Sequence, residues 1–139
     1  KNNSAQKALE LFEIALKIEP EHIDARFHLA RAHFSLSHYE ETITILQAII
    51  QESPEYAGCY NNLGNAFMVT QRFEEAIDAY QQVVDRNPED ADMRYNLAMA
   101  LAQSGEVALA IEQLERVLAV APGHSRGLAL LTKVRSSDA

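Results

Sequence analysis

Catalysis or metal binding in this chain would have to be carried by its thiol, its imidazoles and its paired carboxylates. Cys59 is the only cysteine, so no disulfide forms within the chain. No base stands near it in sequence to lower its pKa, and it reads as a small packed thiol rather than a nucleophile. Five histidines are present. His22 and His124 follow prolines in turns, His38 lies between helices, and His33 takes an apolar column. His28 is five residues before His33, a spacing that does not put two imidazoles on one helical face as i, i+4 would. They form no ligand set, and structural roles are expected for all of them. Glu40-Glu41, Glu74-Glu75 and Glu89-Asp90 stand where helices open and the helix dipole favours negative charge. They read as helix starts, not as acid/base pairs. There is no Gly-rich phosphate loop, no H-E-x-x-H and no Ser or Cys nucleophile in a recognisable setting. The expectation is a segment that is not an enzyme and needs no cofactor and no metal.

The elements that carry these residues are set by a repeat. The four prolines are Pro20, Pro54, Pro88 and Pro122, each 34 residues after the last. A period in this range means stacked supersecondary units rather than a closed globular core. The period extends to other columns. Ala8, Thr42, Ala76 and Ala110 stand at one fixed offset before the prolines, Phe12, Leu46, Tyr80 and Leu114 at a second, and Ala15, Ile49, Val83 and Val117 at a third. Within a unit the apolar spacing is helical: Tyr60, Leu63, Gly64 and Phe67 share one face, as do Phe73, Ala76, Ile77, Tyr80, Val83 and Val84. Each unit is a helical hairpin, and the fold class is all-α, an α-solenoid of antiparallel hairpins. Ala30, Gly64 and Ala98 in the first helix, with Ala76 and Ala110 in the second, allow close backbone approach. Thr42 breaks the second column, which predicts a looser or hydrogen-bonded crossing. Each proline follows a second helix and stops it.

On these residues the chain resembles the tetratricopeptide repeat family. Residues 57–90 carry the pattern best, with Tyr60, Leu63, Gly64, Phe67, Ala76, Tyr80 and Pro88. Residues 91–124 carry it with Leu97, Ala98, Leu101, Ala110, Leu114 and Pro122. Residues 23–56 have Leu29, Ala30, Leu46 and Pro54, but His33 replaces an aromatic and Thr42 an alanine. The expected organisation is one array: a partial repeat with its second helix only (1–22), full repeats 23–56, 57–90 and 91–124, and a capping helix in 125–139. In that capping helix Leu128, Leu131 and Val134 are expected to cover the last hairpin, with Arg126, Lys133 and Arg135 facing water. At the other end Leu9, Phe12 and Leu16 would normally pack on a preceding helix. Two explanations stay open: a chain cut from a longer protein, or a face covered by another copy.

Charge narrows the partners. The formal net charge is −8, which argues against generic nucleic-acid binding because that needs a basic stripe. No apolar run approaches the length of a membrane span, so direct membrane insertion is not expected.

The resemblance implies a concave groove lined by the first helices, and its groove columns fall on named residues here. The first full repeat supplies Phe27, His28, Arg31 and Phe34. The second supplies Asn61, Asn62, Asn65 and Met68, and the third Tyr95, Asn96 and Met99. Arg126 and Lys133 extend the same surface. Amides, aromatics and methionines of this kind suit a peptide, and His28, Asn62 and Asn96 make a short ladder one repeat apart. A second family mode, which clamps a peptide's terminal carboxylate with cations, is not matched: Asp92 stands where a cation is needed and would repel the anion. The leading expectation is a protein or peptide ligand held in the groove by an adaptor or scaffold. The alternatives are homo-oligomerisation through Leu9, Phe12 and Leu16, and a substrate-recruiting arm of a larger enzyme.

Overall fold

The protein is described from a computed structural model covering residues 2–138. Among them are eight α-helices and no strand: α1 (Asn2–Ile18), α2 (Ile23–Ser35), α3 (Tyr39–Glu52), α4 (Gly58–Val69), α5 (Phe73–Arg86), α6 (Ala91–Ser104), α7 (Val107–Val120) and α8 (Ser125–Asp138). They fall into two compact units, residues 1–66 and residues 67–139.

The prolines do the same thing four times. α1, α3, α5 and α7 each end two residues before one. The residue between closes the last helical bond, Ser53 N–H donating to Ile49 C=O at 2.8 Å and Asn87 N–H to Val83 C=O at 3.0 Å. The chain then turns around the proline, with His22 N–H bonding Glu19 C=O, Tyr56 bonding Ser53, Asp90 bonding Asn87 and His124 bonding Ala121. Proline is favoured one residue into such a turn because its φ is already fixed and no N–H is required of it.

The tight turns inside hairpins are equally periodic. Ser37 (φ 63°), Gln71 (φ 62°) and Gly105 (φ 91°) are left-handed. Behind each, the next N–H reaches back five residues, from His38 to His33, Arg72 to Phe67 and Glu106 to Leu101, which ends the helix by satisfying an orphan carbonyl. Glycine occupies this conformation without strain only at Gly105.

In residues 1–66, α2 packs against both α1 and α3. Ala30, Leu46, Ile49 and Cys59 are fully buried. Thr42 is also buried, and its hydroxyl donates to Ala30 C=O (3.2 Å) across the crossing and to His38 C=O (2.9 Å) in its own helix, which is the hydrogen-bonded crossing expected there. In residues 67–139, α6 packs against α5 and α7, and α8 against α7. Ala98, Leu114, Leu131 and Val134 form one buried cluster.

Two expectations at the ends need correction. Leu9 is buried, 7% exposed, because α1 packs on α2, and Phe12 and Leu16 are half-buried. The apolar side chains α1 shows to water are Leu11, Ile14 and Ile18. In α8, Leu131 and Val134 are buried as expected, but Leu128 is 54% exposed and lies outside the buried cluster that they form with Ala98 and Leu114. Arg126, Lys133 and Arg135 do face water, and Arg135 pairs with Glu115 at 2.7 Å.

Candidate functional site

Residues 1–66 contain an open cavity of about 860 Å³. Its walls are helix faces brought together by the packing of α1 and α3 on α2. From α1 come Ala8 and Phe12, from α2 His28, Arg31 and Phe34, from α3 Thr42 and Leu46, and from α4 Asn62 and Asn65. Five residues expected from their columns therefore share one surface: His28, Arg31, Phe34, Asn62 and Asn65. The sequence did not point to the contributions of Ser37 and Tyr39 at the rim. Their signal was local: a left-handed serine at the column where Gly105 stands in the third repeat.

The aromatic side chains are ordered by one another. Phe12 stacks on His28 with centroids 5.4 Å apart and planes 19° from parallel. Phe34 meets Tyr39 edge-on at 5.3 Å, and the Tyr39 hydroxyl donates to Ser37 Oγ at 3.3 Å. Phe27, expected in the groove, instead packs beside Tyr56 at 5.4 Å, and Asn61 is half-buried outside the cavity lining. The polar groups are less engaged. Arg31 and Asn62 make no side-chain hydrogen bond or ion pair among the described residues, and no Asp or Glu lines the cavity.

At the turn after Phe34 the structure brings together two histidines, one from the end of α2 and one from the residue before α3. His33 Nδ1 lies 3.1 Å from His38 Nδ1, because the left-handed Ser37 folds the start of α3 back over the last turn of α2. A hydrogen bond between them needs one nitrogen protonated and the other bare, so the arrangement disfavours two imidazolium rings. Burial, then the neighbouring His38 charge, holds His33 below the usual 6.5, against opposing attraction from Glu41 and Glu13. Among the described residues no group of three metal-ligating side chains is assembled. Cys59 is fully buried, and burial pushes its thiol up to about 11, which makes it a poor nucleophile near neutral pH.

The expected residues of the later repeats lie in residues 67–139. Tyr95 is buried, meets His124 edge-on at 5.4 Å and lies under the Arg126 guanidinium at 4.9 Å. His124 accepts from Gly127 N–H at Nδ1, so its proton sits on Nε2, which donates to Asp92 at 2.8 Å. Arg126 also approaches Asp92, at 3.6 Å. Met68, Asn96 and Met99 are half-buried and Lys133 is exposed. His124 and His22 thus act as helix caps, His22 Nδ1 accepting from Ala25 N–H at 3.1 Å, which is a structural role for both.

Residues 61–125 match the family model described as tetratricopeptide repeat. Residues 1–83 match the model described as anaphase-promoting complex, cyclosome, subunit 3. No curated protein matches the chain. Among solved structures, a crystal structure of MamA superposes with a TM-score of 0.90 at 23% identity, covering 98% of this chain and 80% of that one. MamA from Desulfovibrio magneticus gives 0.92 at 17% identity, covering 97% of this chain and 76% of that one. YrrB, described as a TPR protein with an unusual peptide-binding site, gives 0.85 at 20% identity, covering 98% of this chain and 70% of that one. At these identities the likeness is one of fold.

Proposed function

The chain belongs to the tetratricopeptide repeat family, and from that premise we propose that it is a protein-interaction module which holds an extended peptide in the cavity of residues 1–66. The observation that carries this reading is the cavity itself. At about 860 Å³ it falls within the range of sites that enclose ligands, and like them it combines apolar walls with a few convergent polar groups. Phe12 and Phe34 supply apolar contact, while the Asn62 amide can both donate to a peptide carbonyl and accept from a peptide N–H. That dual capacity matters because an extended peptide presents both groups in alternation. Within residues 67–139, Met68, Asn96, Met99, Arg126 and Lys133 are proposed as ligand contacts in their own right, whereas Tyr95 is buried beneath Arg126. The whole chain is read as one array, with full repeats 23–56, 57–90 and 91–124 between a partial repeat and a terminal helix.

The reading is tested by selecting displayed peptides on the folded chain and measuring their affinity by fluorescence anisotropy. Asn62→Ala combined with Phe34→Ala should weaken selected peptides about tenfold or more with helicity unchanged. Peptides that bind the double variant as tightly as the parent would show that the cavity is not their site.

A second reading is favoured by one observation, the exposed stripe of Leu11, Ile14 and Ile18 on α1, at 66%, 55% and 77% exposure. These residues, rather than the buried Leu9, would carry self-association. Light scattering over a wide concentration range tests it: a mass that rises with concentration and returns to the monomer value in Leu11→Glu/Ile18→Glu supports the second reading, and a constant monomer mass removes it.

A further inference from the structure

We infer that the peptide held in this cavity carries an acidic side chain that pairs with Arg31, next to a large apolar residue seated between Phe12 and Phe34. The inference rests on the peptide-binding reading above and adds the chemistry of its ligand.

The argument is one of charge left uncompensated. The chain has twenty acidic residues against twelve basic ones, so an arginine at a random place on its surface has carboxylates nearby. Most of its arginines use them. Arg26 pairs with Glu52, Arg72 with Glu75, Arg116 with Glu112, Arg126 with Asp92 and Arg135 with Glu115. Arg86 and Arg94 are held by glutamines and backbone carbonyls. Arg31 alone makes no such bond among the described residues, and it is the one arginine that lines the large cavity, whose walls contain no Asp or Glu. In a chain of net charge −8 this is a locally cationic spot on an anionic surface.

A guanidinium offers a planar fork of donors that matches a carboxylate's two oxygens. On open surface such a pair adds little, because water screens it. Beside Phe12 and Phe34 a bound peptide would exclude part of that water, and the same pair strengthens as the local dielectric falls. The surrounding negative charge adds selectivity. A peptide acidic along its whole length is repelled by the rest of the protein, so the preferred ligand has its carboxylate at one register only, with neutral residues around it.

The test uses short synthetic peptides, acetylated and amidated so that neither terminus is charged, in a library in which each position in turn is Asp, Asn or Lys. Binding to the full chain is read by fluorescence anisotropy. The expected result is one position at which Asp is preferred over Asn by about tenfold, adjacent to a Phe, Tyr, Leu or Met. Arg31→Gln should erase that preference by weakening the Asp peptide more than the Asn peptide, and Arg31→Glu should turn it towards Lys. Arg31 is exposed, so neither change touches the core, and circular dichroism checks that the fold is kept. Equal affinity for Asp and Asn peptides, or an Asp preference that survives Arg31→Gln, overturns the inference while the peptide-binding reading stands. Failure of every library member to bind overturns both.

Discussion

Phe12 and Tyr80 occupy the same repeat column two repeats apart, yet Phe12 is half exposed beside a cavity and Tyr80 is 2% exposed in a core. The pairing continues along the two units. Arg31 corresponds to Met99, Phe34 to Ala102, His33 to the buried Leu101, and Thr42 to the buried Ala110. Columns that fix the crossing of helices keep small residues in both units. Columns that face outward change chemistry freely. The difference teaches that the repeat specifies how helices pack, whereas the departures from it specify what each surface can hold. Residues 67–139 put their departures into side-chain bonds, such as the buried Arg94 that donates to Gln113 Oε1 and Pro88 C=O. Residues 1–66 bond some of theirs, Thr42 to Ala30 C=O and His33 to His38, but leave Arg31 and Asn62 without a side-chain bond among the described residues.

The largest expected effect separates the two cores. Leu46 and Leu114 share a column and both are fully buried, but Leu46 borders the cavity and Leu114 lies in the cluster with Ala98, Leu131 and Val134. Leu114→Ala should destabilise by about 4 kcal/mol, because it opens a sealed void. Leu46→Ala should cost only about 2 kcal/mol, because the space it leaves joins one already open to water. Urea denaturation of both variants checks this, and equal losses would mean that the cavity does not soften its own wall.

A smaller effect is expected at the turns. Ser37→Gly and Gln71→Gly should each stabilise by about 1 kcal/mol, since a Cβ in the left-handed region is strained and glycine is not. Gly105→Ala, at the same column, should destabilise by a similar amount, about 1 kcal/mol. Thermal denaturation ranks the three, and a loss on Ser37→Gly would assign that serine a contact worth more than its strain.

Much of this architecture was legible in advance. Four prolines at one period located the stops, and i, i+3, i+4 spacing located the helices, because both signals are local and repeated. The departure of Thr42 was also readable, since a hydroxyl in a buried alanine column must find an acceptor, and it finds Ala30 C=O. What escaped was tertiary. Leu9 reads as unpartnered when a preceding helix is assumed to cover it, but α2 is what buries it. Leu128 reads as core by spacing and is exposed, because the face of α8 that packs on α7 passes through Leu131 and Val134 instead. His33 reads as a column residue and His38 as a residue between helices, with nothing to link them, yet a left-handed residue between them folds one over the other. Of the site, five column residues meet in one cavity, while the absence of any carboxylate from its walls follows from which faces α1 and α3 turn inward, and no single-residue rule contains that.

The smallest expected effect depends on pH and tests the His33 departure directly. His33 stands in the column that Phe67 and Leu101 fill as core residues, 3% and 6% exposed. Its pKa in the folded chain is held below the ordinary 6.5 by burial first and by His38 second, so the unfolded chain takes up this proton more readily than the folded one. The stability contributed by neutral His33 is therefore complete above about pH 6.5 and declines as pH falls through that value, levelling off once the folded form is protonated too. Replacing the imidazole with the leucine that fills the same column two repeats later removes both the titration and the polar group. His33→Leu should raise stability at neutral pH and flatten its decline between about pH 7 and pH 5. Thermal melts of parent and variant across that range decide the matter. A parent and variant that lose stability in parallel would move the acid sensitivity away from the histidine pair, to the carboxylates that stand in ion pairs elsewhere in the chain.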